Sequence, residues 1–281
     1  TVQFFDGTNA VDTQPVVSGA ATFASSTLIP GSHVFTAVYS GDTFRSGNIS
    51  NAITQVVNQA ATTTTLTSSL NPSAFGAGNP PTFTATVTTN NGLTTVEGGT
   101  VTFKDGAATL GTSTILPDDT GQTTFTPASN TVLGLGTHPI TAIYQGDATP
   151  ANWGPSTSSV LNQVVKPPTS TTLAAQINGK PAGGTAYFTR NPAQKLILAI
   201  TVTGNAGTPT GAVTVTSGNV ILGPPITLVT VNSTTATATF QVTGLRVGLN
   251  QINAVFPPTG PYAGSTSNTV MVYQSPRPKV H

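Results

Sequence analysis

One short stretch recurs three times in this chain and constrains everything around it. It reads GTHPITAIYQGD from Gly136 to Asp147 and GSHVFTAVYSGD from Gly31 to Asp42. A more decayed copy, GLNQINAVFPPT, runs from Gly248 to Thr259. In each, apolar side chains fall at every second position after a glycine turn, the period of a strand with one face buried. Laying the three copies over each other sorts the rest of the chain into repeats of one β-sandwich, and repeats decide the fold before any single residue does.

The middle repeat is the fullest. It offers strands at Thr62 to Ser69, Thr82 to Thr89, Gly99 to Lys104, Ala108 to Ile115, Gln122 to Thr126, Thr137 to Tyr144 and Ser156 to Val165. Asn71-Pro72, Asn90-Asn91-Gly92 and Asp105-Gly106 punctuate them as turns. About seven short strands between turn signals is the pattern of a two-layer sandwich. The third repeat runs from about Thr171 to Tyr273, with Leu196, Leu198, Ile200 and Val202 alternating in one strand. A Pro- and basic-rich tail follows from Gln274. In the first repeat, TVQFFDG at Thr1 to Gly7 matches TVTFKDG at Thr100 to Gly106, so it begins at the third strand. The expected domains are 1–58 (partial, lacking its first two strands), 59–166 and 167–275, with a tail at 276–281. Half a sandwich exposes apolar surface, which isolated proteins avoid. Two readings of it are open: strands donated by another chain over Phe4 and Phe35, or a fragment of a longer protein.

Composition agrees with an all-β chain and excludes several functions. Thr is about one residue in five, and charged residues are only 6%. Threonine suits a pleated strand and offers water a hydroxyl, while the scarcity of Lys and Glu removes the usual helix formers. A formal net charge of +1, with scattered basic residues, leaves no footprint for nucleic acid. No apolar run reaches the ~18 residues of a membrane span, and no Cys is present for disulfides or thiolate chemistry. These features point to the outside of a bacterial cell.

The pieces TTTTLTSSLNPSAFG, PTFTATVTT, GGTVTFKDG and LGLGTHPITAIYQGD, with a Ser-rich closing strand, resemble the bacterial Ig-like repeats found in tandem in large secreted and cell-surface proteins. That resemblance implies tandem Ig-like β-sandwiches, no catalytic residues, no cofactor, and a role as stalk, spacer or adhesive module.

Chemistry is thinly represented. Glu97 is the only Glu, so no glutamate pair can work as acid and base. No G-x-S-x-G or phosphate-cradling loop occurs. His33 and His138 share the frame L-x-x-G-x-H, with Asn250 in the third copy, and read as side chains pinning a turn. Asp6, Asp42, Asp105 and Asp147 beside glycines read as turn residues, and Asp118-Asp119 as a solvated loop. Phe44, Trp153 and Tyr262 recur in the loop before each last strand. They either plug one end of the sandwich or form an aromatic platform for a glycan or partner. The partners expected are other copies of the chain, an adjacent segment of a longer chain, or a glycan.

Overall fold

A computed structural model describes residues 1–276 except 77, 79, 91–95, 118–119, 130, 148–151 and 190–193. The acidic pair Asp118-Asp119, part of the Asn90-Asn91-Gly92 turn and residues 277–281 of the tail therefore lie outside the described residues. Every regular element among the described residues is a β-strand. By contact the chain divides into two compact units. One is Thr1–Thr67 with Phe83–Phe125 and Ile140–Leu161; the other is Ser68–Thr82 with Thr126–Pro139 and Asn162–His281.

The first unit holds two arrangements. Residues 1–57 form one sheet. Its hairpin Val2–Asp6/Asn9–Gln14 lies beside Gly31–Tyr39, which also pairs with Asn48–Ile49 and Ile53–Val57. No second sheet covers it among the described residues. In the other arrangement, Gln122–Phe125, Phe83–Thr89 and Thr62–Ser68 form a three-stranded sheet. It packs on the hairpin Thr100–Asp105/Ala108–Thr114 and its neighbour, the Ile140–Tyr144 part of Gly136–Tyr144. The period-two reading holds side chain by side chain: Phe83, Ala85, Val101, Phe103, Ile140, Ala142 and Tyr144 are all wholly buried. Phe125 stacks on Phe103 across the layers at 5.4 Å.

The second unit contains the last sandwich. One sheet runs Lys180–Pro181, Thr169–Ile177, Leu196–Gly204, Thr235–Gln241, Val229–Thr230. The other runs Ala186–Phe188, Val270–Gln274, Gly248–Phe256, Ala212–Ser217, Val220–Ile221. Leu196, Leu198, Ile200 and Val202 face Val213, Ile252, Ala254 and Phe256 in a core sealed from water.

The same turn closes the corresponding hairpin of each repeat. Gly7, Gly106 and Gly218 adopt φ of 60°, 54° and 57° between paired residues Asp6/Asn9, Asp105/Ala108 and Ser217/Val220. Glycine at the first central position of a two-residue hairpin loop takes this conformation without strain.

Two expectations need correction. The closing strand is not continuous from Ser156 to Val165. It splits into Ser156–Thr157 and Leu161–Lys166, and the third repeat splits likewise into Ser265–Thr266 and Val270–Gln274. The reason is a serine, treated below. Gln274 is not tail but the last strand residue, 2% exposed, with its amide donating to the carbonyls of Phe188 and Ser275. Beyond these, short parallel pairings appear that alternation could not show: Ser73–Ala74 beside Val165–Lys166, and Ala186–Phe188 beside Val272–Gln274.

Candidate functional site

The L-x-x-G-x-H frame builds a pinned corner in all three repeats. His33 Nε2 bonds the Ile29 carbonyl at 2.8 Å, His138 Nε2 the Gly134 carbonyl at 2.8 Å, and Asn250 Nδ2 the Arg246 carbonyl at 2.9 Å. Each target carbonyl lies four residues upstream, so one side chain ties the entering loop to the start of its strand. The other ring nitrogen of His33, Nδ1, meets Asp6 Oδ2 at 2.6 Å. Both partners of the ring are acceptors, so the doubly protonated imidazolium fits the site best. The hydrogen bond the ring donates to Asp6, then the one it donates to the Ile29 carbonyl, raises the His33 pKa above its ordinary value. The third repeat has Ser217 where Asp6 stands, and Asn250 where His33 stands, so the acid and the histidine are absent together.

Loop aspartates organise the aromatic positions. Asp42 accepts from the Phe44 N–H and the Tyr39 hydroxyl, both at 2.8 Å. The Phe44 amide bond, and then Tyr39, hold its carboxyl below the usual value. Asp147 accepts from the N–H groups of Asn152 at 2.9 Å and Trp153 at 2.7 Å. Within this shared frame the rings have three fates. Phe44 is 91% exposed, Tyr262 is 6% exposed with its hydroxyl donating to the Ala206 carbonyl, and Trp153 is half-buried beside a parallel bridge to Ala60. Among the described residues no group of three or more His, Asp or Glu could hold a metal ion.

Residues Phe4 and Phe35 lie on the open side of the first sheet. With Phe23, Leu28, Ile53, Gln55 and Val57 they line a groove of about 570 Å³. Phe23 stacks on Phe4 at 5.6 Å and meets Phe35 at 5.8 Å, so the three rings form one half-exposed apolar cluster.

The family model for the bacterial Ig-like domain (group 3) matches residues 1–58 and 66–166. This chain belongs to that family. Forty-eight solved chains are also similar to the Ig-like chain. The fibronectin(III)-like modules of Clostridium thermocellum CbhA are 16% identical, with a TM-score of 0.40, over 78% of this chain and 97% of that one. The titin domains I67–I69, as an E-to-A mutated variant, are 9% identical, with a TM-score of 0.29, over 98% of this chain and 87% of that one. No curated protein matches.

The Ig-like repeats also share contacts that alternation alone did not reveal. Ser50, Ser158 and Ser267 each accept the N–H of Ala37, Ala142 or Ala254 on the hydroxyl oxygen, at 2.9, 3.0 and 2.9 Å. Each backbone N–H returns a bond to the same alanine's carbonyl. The hydroxyl stands in for a ladder partner, and the strand breaks there. Further hydroxyls, buried or half-buried, cluster as Thr62, Thr64 and Ser156, and again as Thr169, Thr171 and Ser265, with separations of 2.7 to 2.8 Å. Thr62 and Thr64 fall in the gap between the two matched spans and the second cluster lies beyond them, and the second repeats the first position for position. The only signal for it was the surplus of Thr and Ser at strand starts.

Proposed function

We propose that this Ig-like chain is a non-catalytic structural segment of an extracellular bacterial protein, its modules set in tandem as part of a stalk or surface filament. The observation that supports this most is how the sandwiches end. Ser73–Ala74, near the start of the middle repeat, pairs parallel to the closing strand at Val165–Lys166. Ala186–Phe188, early in the third, pairs parallel to its closing strand at Val272–Gln274. Tension applied at the two ends of such a module loads those hydrogen bonds in shear, so they must break together rather than one after another. The Thr–Ser–Thr hydroxyl clusters fasten the first strand near the same closing strands.

Pulling single molecules by their ends tests this reading. The expected trace has two abrupt unfolding events, one for each two-layered repeat. The Phe75→Pro variant removes the donor to the Lys166 carbonyl and lowers the force of one event only. Smooth extension at low force, with no abrupt events, would discard the structural role. A second reading, recognition of a glycan through loop aromatics, is favoured by Phe44 alone because its ring is 91% exposed. Glycan binding that survives Phe44→Ala would remove that reading.

A further inference from the structure

The third repeat carries the corner frame without the side-chain pair that closes it in the first. There His33 Nδ1 donates to Asp6 Oδ2 at 2.6 Å. Asn250 and Ser217 occupy those places in the third repeat and make no bond to each other. The Asn250 amide nitrogen is engaged with its own loop, donating to the carbonyls of Arg246 at 2.9 Å and Gly248 at 3.0 Å. Its carboxamide oxygen, on the other side of the planar amide, accepts no hydrogen bond among the described residues, although the residue is only 6% exposed. A buried acceptor left without a donor is costly, and native proteins contain few of them. Such an atom favours a donor brought from outside the chain.

The same asparagine lines a groove of about 430 Å³, within the size range of small-ligand sites. Ser217 lines it too, half-buried, and its hydroxyl makes no bond among the described residues. Arg246 and Gln251, both exposed, complete the polar lining, and no described carboxylate pairs with the Arg246 guanidinium. Leu222 and Leu249 supply apolar wall. One groove thus gathers an orphaned acceptor, a hydroxyl, a cation and apolar carbon. A ligand that answers all four has hydroxyl donors, a carboxylate and a C–H face, and an acidic sugar has them on one ring.

We propose that this corner groove of the third repeat binds a uronic acid residue of an extracellular glycan. The sugar carboxylate pairs with the Arg246 guanidinium, a ring hydroxyl donates to Asn250 Oδ1, and the adjacent hydroxyl bonds Ser217 Oγ. The C–H face of the ring lies on Leu249. A neutral sugar leaves Arg246 without its anion, and a simple aliphatic carboxylate leaves Asn250 Oδ1 without its donor. Asn250 and Ser217 hold the places of a bonded pair, so donors on neighbouring ring carbons reach both. Successive N–H groups of an extended peptide point to opposite sides and do not. The inference rests neither on how the sandwiches respond to force nor on Phe44, which lies in the first repeat.

The test titrates the whole isotope-labelled chain with trigalacturonate and follows its amide NMR signals. Saturable shifts are expected in residues 217–222 and 244–251 and in the Asn250 side-chain amide, with a Kd of about 1 mM. The methyl-esterified trisaccharide, which lacks the charge, should bind about tenfold more weakly, and Arg246→Gln should weaken binding of the acid as much. Asn250 also ties the corner, so it is replaced rather than deleted. The double variant Ser217→Asp with Asn250→His rebuilds the pair of the first repeat, and it should fill the site and abolish binding. Arg246→Gln changes an exposed side chain and so reads out on a folded repeat even if the double variant does not fold. Absence of shifts in the two stretches would overturn the proposal. So would equal binding of the ester, or binding of the acid that Arg246→Gln leaves unchanged. Tighter binding of triglutamate than of the sugar would assign the groove to an acidic peptide and overturn it as well.

Discussion

At the scale of single residues, the corner histidines show one frame used with two chemistries. His33 is held between a carboxylate and a carbonyl, with its ring 6.0 Å from that of Phe35. Its pKa is raised, so the protonated form is favoured by folding. The stabilisation is fully present below the unfolded value of about 6.5 and is lost as pH rises through the higher folded value. NMR titration of the His33 ring should show a midpoint above 6.5, and in His33→Asn the melting of the first sheet should lose its pH dependence in that window. Gly99 is a second sensitive position. Its φ is +89°, and a Cβ would come within 2.5 Å of both the Gly146 carbonyl oxygen and the Tyr144 ring. The buried Tyr144 hydroxyl donates to the Gly98 carbonyl at 3.0 Å, and burial, then Asp147, pushes its pKa to about 12. Gly99→Ala should cost roughly 2–4 kcal/mol in urea unfolding, from backbone strain plus overpacking.

At the scale of elements, the closing strands are governed by Ser158 and Ser267 as much as by their apolar neighbours. Ser158→Ala leaves the Ala142 N–H without its hydroxyl acceptor inside the sandwich, where both residues are buried. The expected loss is about 1–3 kcal/mol, the cost of an orphaned buried donor, measured by chemical denaturation. A backbone repair that straightened the strand would instead make the change neutral, and joining of Thr157 to Leu161 in one ladder would reveal it. The first sheet differs from the others at this same scale. Its strands pair as well as those of the middle repeat, but hydrogen bonding along a sheet cannot bury its face. Only a second layer does that, which is why Phe4 and Phe103 differ in exposure despite matching sequence.

At the scale of the whole molecule, stability rests on sheet packing and hydroxyl bonding rather than on charge. Only 6% of residues are charged, and an ion pair such as Arg45–Asp42, at 3.4 Å, is exposed. Raising salt from dilute buffer to about 1 M should therefore shift the melting temperature of the two-layered repeats by less than about 2 °C, since screening has little to act on. Scanning calorimetry at several salt concentrations checks this.

Much of this was legible in the chain itself. Local alternation names the inward residues, because successive side chains on a strand point to opposite faces whatever else the protein does. The alignment of TVQFFDG with TVTFKDG, and of the three glycine-led strands, marks the repeats because the hairpin glycines answer a local backbone need. The corner contacts were legible too, since their partners lie only four residues apart. What tertiary structure alone decided lies at long range. Ser158 meets Ala142 from 16 residues away, Tyr144 meets Gly98 from 46, and Gln163 meets Ser68 from 95. Whether a loop ring is buried like Tyr262 or left in water like Phe44 also depends on which distant segment covers it. No pattern in neighbouring residues encodes that, because burial is a property of the layer opposite.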